Sequence, residues 1–347
     1  MAENFCAVNA HHRAVELMPI CRAAIVMKLM IAYLLAISGV SILESSRIGL
    51  VVALQMASGA YIWLVLRKSN TSNMATLIGM GIAIGSFLSL ASQTFARPTI
   101  LRDLGYLLPS ICVVVHIIAR FDVRDLMLAS QSKSKAQICE QRIFALCLLN
   151  GSMFALSYWW VWLLPVAIIT GGTTVWLSSG SSIRRFRKVS DRRQFFYAAA
   201  MLIVGSVSSI WMRLHTTNFF VFSNDQVFSE SLSWSLTRFG PNESPFEAGT
   251  IIRYHWLPLA WSGIVSKAAS ASDWTVVTRV LPIVGFIGII SLVWAILLEL
   301  KVSIPARLFA VYALVLTKGL LEFSTPVRYT HSLTFLFANI WMLASIL

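Results

Sequence analysis

Charge is scarce in this chain. Only 12% of its 347 residues are Asp, Glu, Lys or Arg, about half of the roughly 25% usual in a soluble domain. Acids are the rarer kind, 15 against 28 Lys and Arg, which leaves a formal net charge of +13. There are five cysteines, Cys6, Cys21, Cys112, Cys139 and Cys147, and none lies in the one long polar interval. Neither a disulfide framework nor a thiolate metal site is expected from them, and they read as packing residues. The six histidines are scattered except for His11-His12 in the N-terminal tail. No zinc spacing, nucleophile elbow or P-loop occurs. The Gly79–Gly81 G-x-G lies inside an apolar run, where a nucleotide fingerprint has no meaning. No repeat of fixed period and no low-complexity tract is found. The polar N-terminus enters a full-length apolar run without a small-residue cleavage pattern, so a retained first helix is expected.

Apolar sequence fills the chain instead. Hydrophobic residues make up 57% of it and the mean hydropathy is +0.73. The runs are about twenty residues long, enough to cross a hydrocarbon core of roughly 30 Å as helices, and they lack the alternation of barrel strands. The expected fold is an all-α, polytopic integral membrane protein of about ten transmembrane helices. The first spans read as Ala23–Leu43, Gly49–Leu66, Met74–Phe95 and Leu104–Ala119. The run Ile143–Leu177 would be about 50 Å long as one helix, so it divides into two short spans with a turn near Tyr158–Trp160. Phe195–Met212, Val276–Leu298, Leu308–Leu321 and Ser332–Leu347 follow, with Glu299–Arg307 as a link. Gly81 and Gly85 form a small-xxx-small pair suited to close helix packing, and Gly171-Gly172 is read the same way.

The basic loops fix an expected orientation. Arg67-Lys68, the segment Arg120 to Arg142 and the cluster Arg184 to Arg193 follow the second, fourth and sixth spans, and the positive-inside rule makes them cytoplasmic together with the N-terminus. Residues 1–194 then form an N-terminal membrane region of about six spans, and 195–347 a second module whose loop, 214–275, faces outward. The last run ends at Leu347 without a polar anchor, from which we expect a longer natural protein.

Between Leu214 and Thr275 the charge reverses: five acids (Asp225, Glu230, Glu243, Glu247, Asp273) stand against Arg238, Arg253 and Lys267. Ser223 and Gln226 have capping-box spacing, Phe228, Leu232, Leu236 and Phe239 recur at helical intervals, and Gly240-Pro241 closes the segment. This predicts an amphipathic surface helix with its apolar stripe toward lipid or the bundle. Asp225 falls in its first turn, where the helix dipole favours the ionised form. Glu230, five residues on, is about 140° round the helix and is not expected to converge with Asp225. Trp234, Trp256 and Trp261 read as interfacial belt residues.

An outward-going span, an early acid in a large external loop, a surface helix ending Arg238-Phe239-Gly240-Pro241, and then Tyr254-His255-Trp256-Leu257-Pro258 resemble the GT-C class of polytopic glycosyltransferases, over about residues 195–347. The bacterial mannosyl- and arabinosyltransferase-like membrane proteins belong to that class. The resemblance implies transfer of a sugar from a polyprenyl-phosphate donor to a glycan, lipid or protein acceptor on the outer face of a bacterial plasma membrane. It implies Asp225 as the catalytic carboxylate of the loop, deprotonating the acceptor or holding it in line, with Arg253, Tyr254, His255, Glu230 and Arg238 contributing to substrate binding. The later loop Glu322–His331, with its Ser-Thr-Pro, would lie beside the active site. The resemblance names no definite cofactor and leaves a divalent cation open, although many members carry paired acids where this chain has Asn224-Asp225. Besides the substrates, the lipid bilayer is the expected partner, and nucleic acid is not. Two other classes stay open: a transporter or flippase for a lipid-linked glycan, and a catalytically silent membrane scaffold.

Overall fold

The computed structural model describes residues 46–67, 73–95, 135–156, 163–183, a few positions between 196 and 203, 224–239, 256–316 and 336–347. Among the described residues the chain is entirely helical, with no strand. In chain order the helices are α1 (Ser46–Leu66), α2 (Met74–Phe95), α3 (Lys135–Leu156), α4 (Leu163–Ile183), α5 (Asn224–Phe239), α6 (Leu257–Ala269), α7 (Asp273–Glu299), α8 (Ile304–Leu316) and α9 (Leu336–Ile346). Three of them are long and apolar enough to cross a membrane: Ser46–Leu66, Met74–Ala91 within α2, and Asp273–Glu299. The last, of 27 residues, measures about 40 Å at 1.5 Å per residue, so its ends project beyond a hydrocarbon core of roughly 30 Å.

α1 and α2 form a tight hairpin because the contact is lined by glycine. A methyl group at Gly81 would sit 2.8 Å from the Met56 carbonyl oxygen, and one at Gly85 would overlap the Gln55 carbonyl. The small-xxx-small pair therefore sets the closeness of the two helices, as van der Waals packing between membrane helices requires. α7 packs against α2, α3, α8 and α9, so helices from both sides of residue 194 share one core. On the outside of this core, large apolar side chains such as Leu50, Phe87, Ile169 and Trp176 are exposed, as on a surface that faces lipid.

The long run 143–177 is indeed divided, into α3 and α4, which pack against each other; the turn expected near Tyr158–Trp160 lies outside the described residues. α3 begins at Lys135, before the apolar run, and thereby carries Glu140 into an ion pair with Arg307 at 2.6 Å. Arg307 is not in a link: α8 starts at Ile304, and the guanidinium is buried, donating also to the Val302 carbonyl at 2.8 Å. The chain turns there through Lys301, a left-handed residue with φ 56°. Gly171-Gly172 lies within α4, where Gly172 meets nothing, so this pair makes no close contact on that side.

Arg67, at the end of α1, lies 3.6 Å from Glu299, at the end of α7. The two helices therefore run in the same direction. Arg67, Glu299, Arg307 and Glu140 gather at one end of the bundle, and the start of α7 at Asp273 lies at the other.

Candidate functional site

α5 spans the residues that the Ser223–Gln226 spacing and Gly240-Pro241 mark out, and it docks on the Asp273 end of the bundle. Its buried face carries Ser229, Leu232, Ser233, Leu236 and Thr237. The partner is α6, and the approach is close because position 263 is glycine: a methyl group there would overlap Thr237 Oγ1 and lie 2.5 Å from the Ser233 carbonyl. The Leu stripe thus faces the bundle. The stripe Val227, Ser231, Trp234 and Arg238 faces outward, with the Arg238 guanidinium 4.1 Å from the Trp234 ring centroid.

α6 begins with Pro258 in its first turn, where a missing N–H costs nothing, and ends at Ser270 in the left-handed conformation (φ 51°). Ala271 N–H closes back on the Ser266 carbonyl at 2.8 Å, the pattern of a Schellman-type end. This reversal brings Asp273 back to Ser266. The hydroxyls of Ser266 and Ser233 both donate to Asp273 Oδ1, each at 2.8 Å. Asp273 stands in the first turn of α7.

Glu230 approaches the same helix start from α5, and its carboxylate accepts the backbone N–H of Trp274. It therefore satisfies one of the N-terminal donors that a helix leaves open. Its surroundings oppose its ionisation: burial, and then the negative charge of Asp273, push its carboxyl above the ordinary value, and the Trp274 N–H only partly counters them. Arg238 is near enough to Asp273 for their charges to interact. The result is a small acidic niche, two carboxyls at one helix start, bordered by serine hydroxyls and a stacked cation.

Of the residues expected at a site, Glu230 and Arg238 are brought together here. Asp225 is the second residue of α5, and only its backbone is described. Arg253, Tyr254 and His255 lie outside the described residues, as does Glu322–His331. Asp273 had no role in the sequence reading; the Ser272-Asp273 pair in front of a long apolar run is the helix-start signal that could have singled it out. Trp261 requires correction. It is not an interfacial belt residue but is fully buried in α6, its Nε1 donating to Gln55 Oε1 of α1 at 3.1 Å. Trp256 is partly buried and Trp234 exposed.

Among the described residues no group of three or more His, Cys, Asp or Glu could hold a metal ion. No family model matches the chain, and neither does any curated protein or solved structure.

Proposed function

We propose that the protein is a membrane glycosyltransferase of about ten spans, transferring a sugar from a polyprenyl-phosphate donor to an acceptor on the extracytoplasmic face. The observation that carries the reading is the docking of α5 on the start of α7, which sets Glu230, whose surroundings oppose its ionisation, beside Asp273 at the end of a membrane-length helix. Lipid-linked donors present their reacting bond at this level of a bilayer, where a polar acceptor can meet it. Two neighbouring carboxyls suit acid–base work, one to take the acceptor proton and one to orient it. The resemblance assigns the base to Asp225, on the same helix as Glu230, and Glu230 and Asp273 meet at the start of α7. In this reading Arg67, Glu140, Glu299 and Arg307 mark the cytoplasmic end, in keeping with the basic loops.

The test is sugar transfer from a short-chain polyprenyl-phosphate sugar in proteoliposomes. Asp225→Asn is expected to lower transfer by about 10² or more while expression stays normal, the loss typical of a general base. Glu230→Gln should lower it less and change its pH profile. Movement of the donor across the bilayer with its sugar still attached would instead favour a flippase. Wild-type transfer in both variants would sink the transferase reading.

A further inference from the structure

Away from the acidic niche, α3, α4, α7 and α8 meet along a seam of buried polar side chains that no part of the proposed transfer uses. At its outer end is the Glu140–Arg307 ion pair, with the guanidinium 5.4 Å from the ring centroid of Trp294. Trp294 in turn packs on Phe144, centroids 5.4 Å apart. One turn further along α3 comes Cys147, which lies beside the Tyr312 hydroxyl of α8. That hydroxyl points at Thr174 of α4 without closing a hydrogen bond of normal length. Thr174 gives its own proton to the Thr170 carbonyl at 2.7 Å. Asn150 ends the series, its Nδ2 donating to the Ala167 carbonyl and, at 3.2 Å, to Thr170 Oγ1. Glu140 and Asn150 are ten residues apart on one helix, so the seam runs about 15 Å into the bundle.

Among the described residues these helices bury four polar atoms without a hydrogen-bond partner: Trp294 Nε1, Ser291 Oγ one turn before it on α7, Tyr312 Oη and Asn150 Oδ1. Their side chains are each at most 1% exposed. An orphaned polar group inside protein costs about 1–3 kcal/mol, and four of them on three packed helices, α3, α7 and α8, is not a pattern that apolar packing selects. The set includes both a pure donor, the indole N–H, and a pure acceptor, the amide oxygen. A molecule that serves all of them must donate and accept and must be small enough to enter a packed seam.

We infer that the seam between α3, α4, α7 and α8 is a hydration site, holding a short file of water molecules from the Glu140–Arg307 end to Asn150. Water donates to Asn150 Oδ1, accepts from Trp294 Nε1 and bridges the hydroxyls of Ser291 and Tyr312, which is the role buried waters play at polar sites in protein interiors. Glu140, the less buried partner of its ion pair, is the point at which bulk water reaches the file. This inference does not depend on the transferase reading, since it concerns other residues and starts from the opposite end of the bundle.

Hydroxyl-radical footprinting by X-ray radiolysis of the chain in lipid nanodiscs tests it, because radicals formed from bound water oxidise the side chains beside it. Tyr312 and Trp294 are expected to be oxidised several-fold faster than Met56, which is equally buried in the α1–α2 contact and intrinsically more reactive. Trp176, exposed on the outer surface, should stay protected by lipid. In a folded Asn150→Leu variant, Trp294 oxidation should fall. If Tyr312 and Trp294 react no faster than Met56 in the wild type, or if Asn150→Leu leaves Trp294 oxidation unchanged, the seam is dry and the inference is overturned.

Discussion

Ser233 and Asp273, forty residues apart, are joined by a 2.8 Å hydrogen bond that ties the surface helix α5 to the first turn of the longest apolar helix in the described chain. Ser266 gives the same carboxylate oxygen a second hydroxyl. Hydrogen bonds to a charged acceptor contribute about 1.5–3 kcal/mol each. Ser233→Ala should therefore speed amide hydrogen exchange across 224–239 without unfolding the bundle. Ser233→Ala with Ser266→Ala should release α5 altogether, seen as exchange at the rate of an undocked helix. Unchanged exchange in the double variant would mean that the Leu232 and Leu236 contacts alone hold α5.

Glu230 makes stability depend on pH with a definite sign. Its carboxyl is raised from an ordinary value of 4.5 by burial and by Asp273, so the fold disfavours its ionised form. That penalty is fully present above the raised folded-state value and disappears as pH falls below the unfolded-state value. Glu230→Gln keeps an acceptor for the Trp274 N–H and removes the charge. The variant should melt at a higher temperature than wild type at neutral pH, and the gap should close on acidification to about pH 4. A gap that is constant with pH would show that charge is not its cause.

Trp261 and Gln55 should behave as a coupled pair. Trp261→Phe removes the indole donor to Gln55 Oε1 and leaves a buried amide whose Nε2 already has no partner among the described residues, at a cost of about 1–3 kcal/mol. Trp261→Ala adds a cavity and should cost about 3–5 kcal/mol. Adding Gln55→Leu to Trp261→Phe should recover most of the loss, because both polar ends are then gone. Thermal melts of the three variants in one detergent are sufficient to check this, and strictly additive shifts would contradict the pairing.

The Glu140–Arg307 pair should show the asymmetry of buried ions. Glu140→Ala leaves a buried guanidinium whose carboxylate is gone, and about 3 kcal/mol of stability should go with it. Glu140→Leu with Arg307→Leu should be far milder. Thermal stability measured for single and double variants gives the coupling directly, and a mild Glu140→Ala would place the guanidinium in better-solvated surroundings than its burial indicates.

Much of the helical framework can be read along the chain. Met74–Phe95 is the same segment in sequence and structure because polar residues bound an apolar run of membrane length. α5 is bounded by Ser223 on one side and Gly240-Pro241 on the other, local signals that need no tertiary contact. The division of 143–177 follows from length alone. The faces are harder. α5 has two stripes with apolar members, and only Gly263 opposite Thr237 determines that the Leu232 side turns inward. Trp261 carries the same letters whether it anchors at an interface or fills a core; a glutamine 206 positions away decides the matter.

The sequence by itself determined that this is a helical chain with membrane-length apolar helices and where some of the described ones, such as α2 and α5, start and stop, because hydrophobic run length, capping residues and Gly-Pro breaks act within a few residues of where they occur. The tertiary structure alone decided which acids meet. Glu230 and Asp273 become neighbours because glycine at 263 lets α5 lie against α6 and the left-handed Ser270 returns the chain to Ser266. That juxtaposition also raises the Glu230 carboxyl, since desolvation and charge repulsion depend on what surrounds a group in space, and no spacing along the chain specifies it.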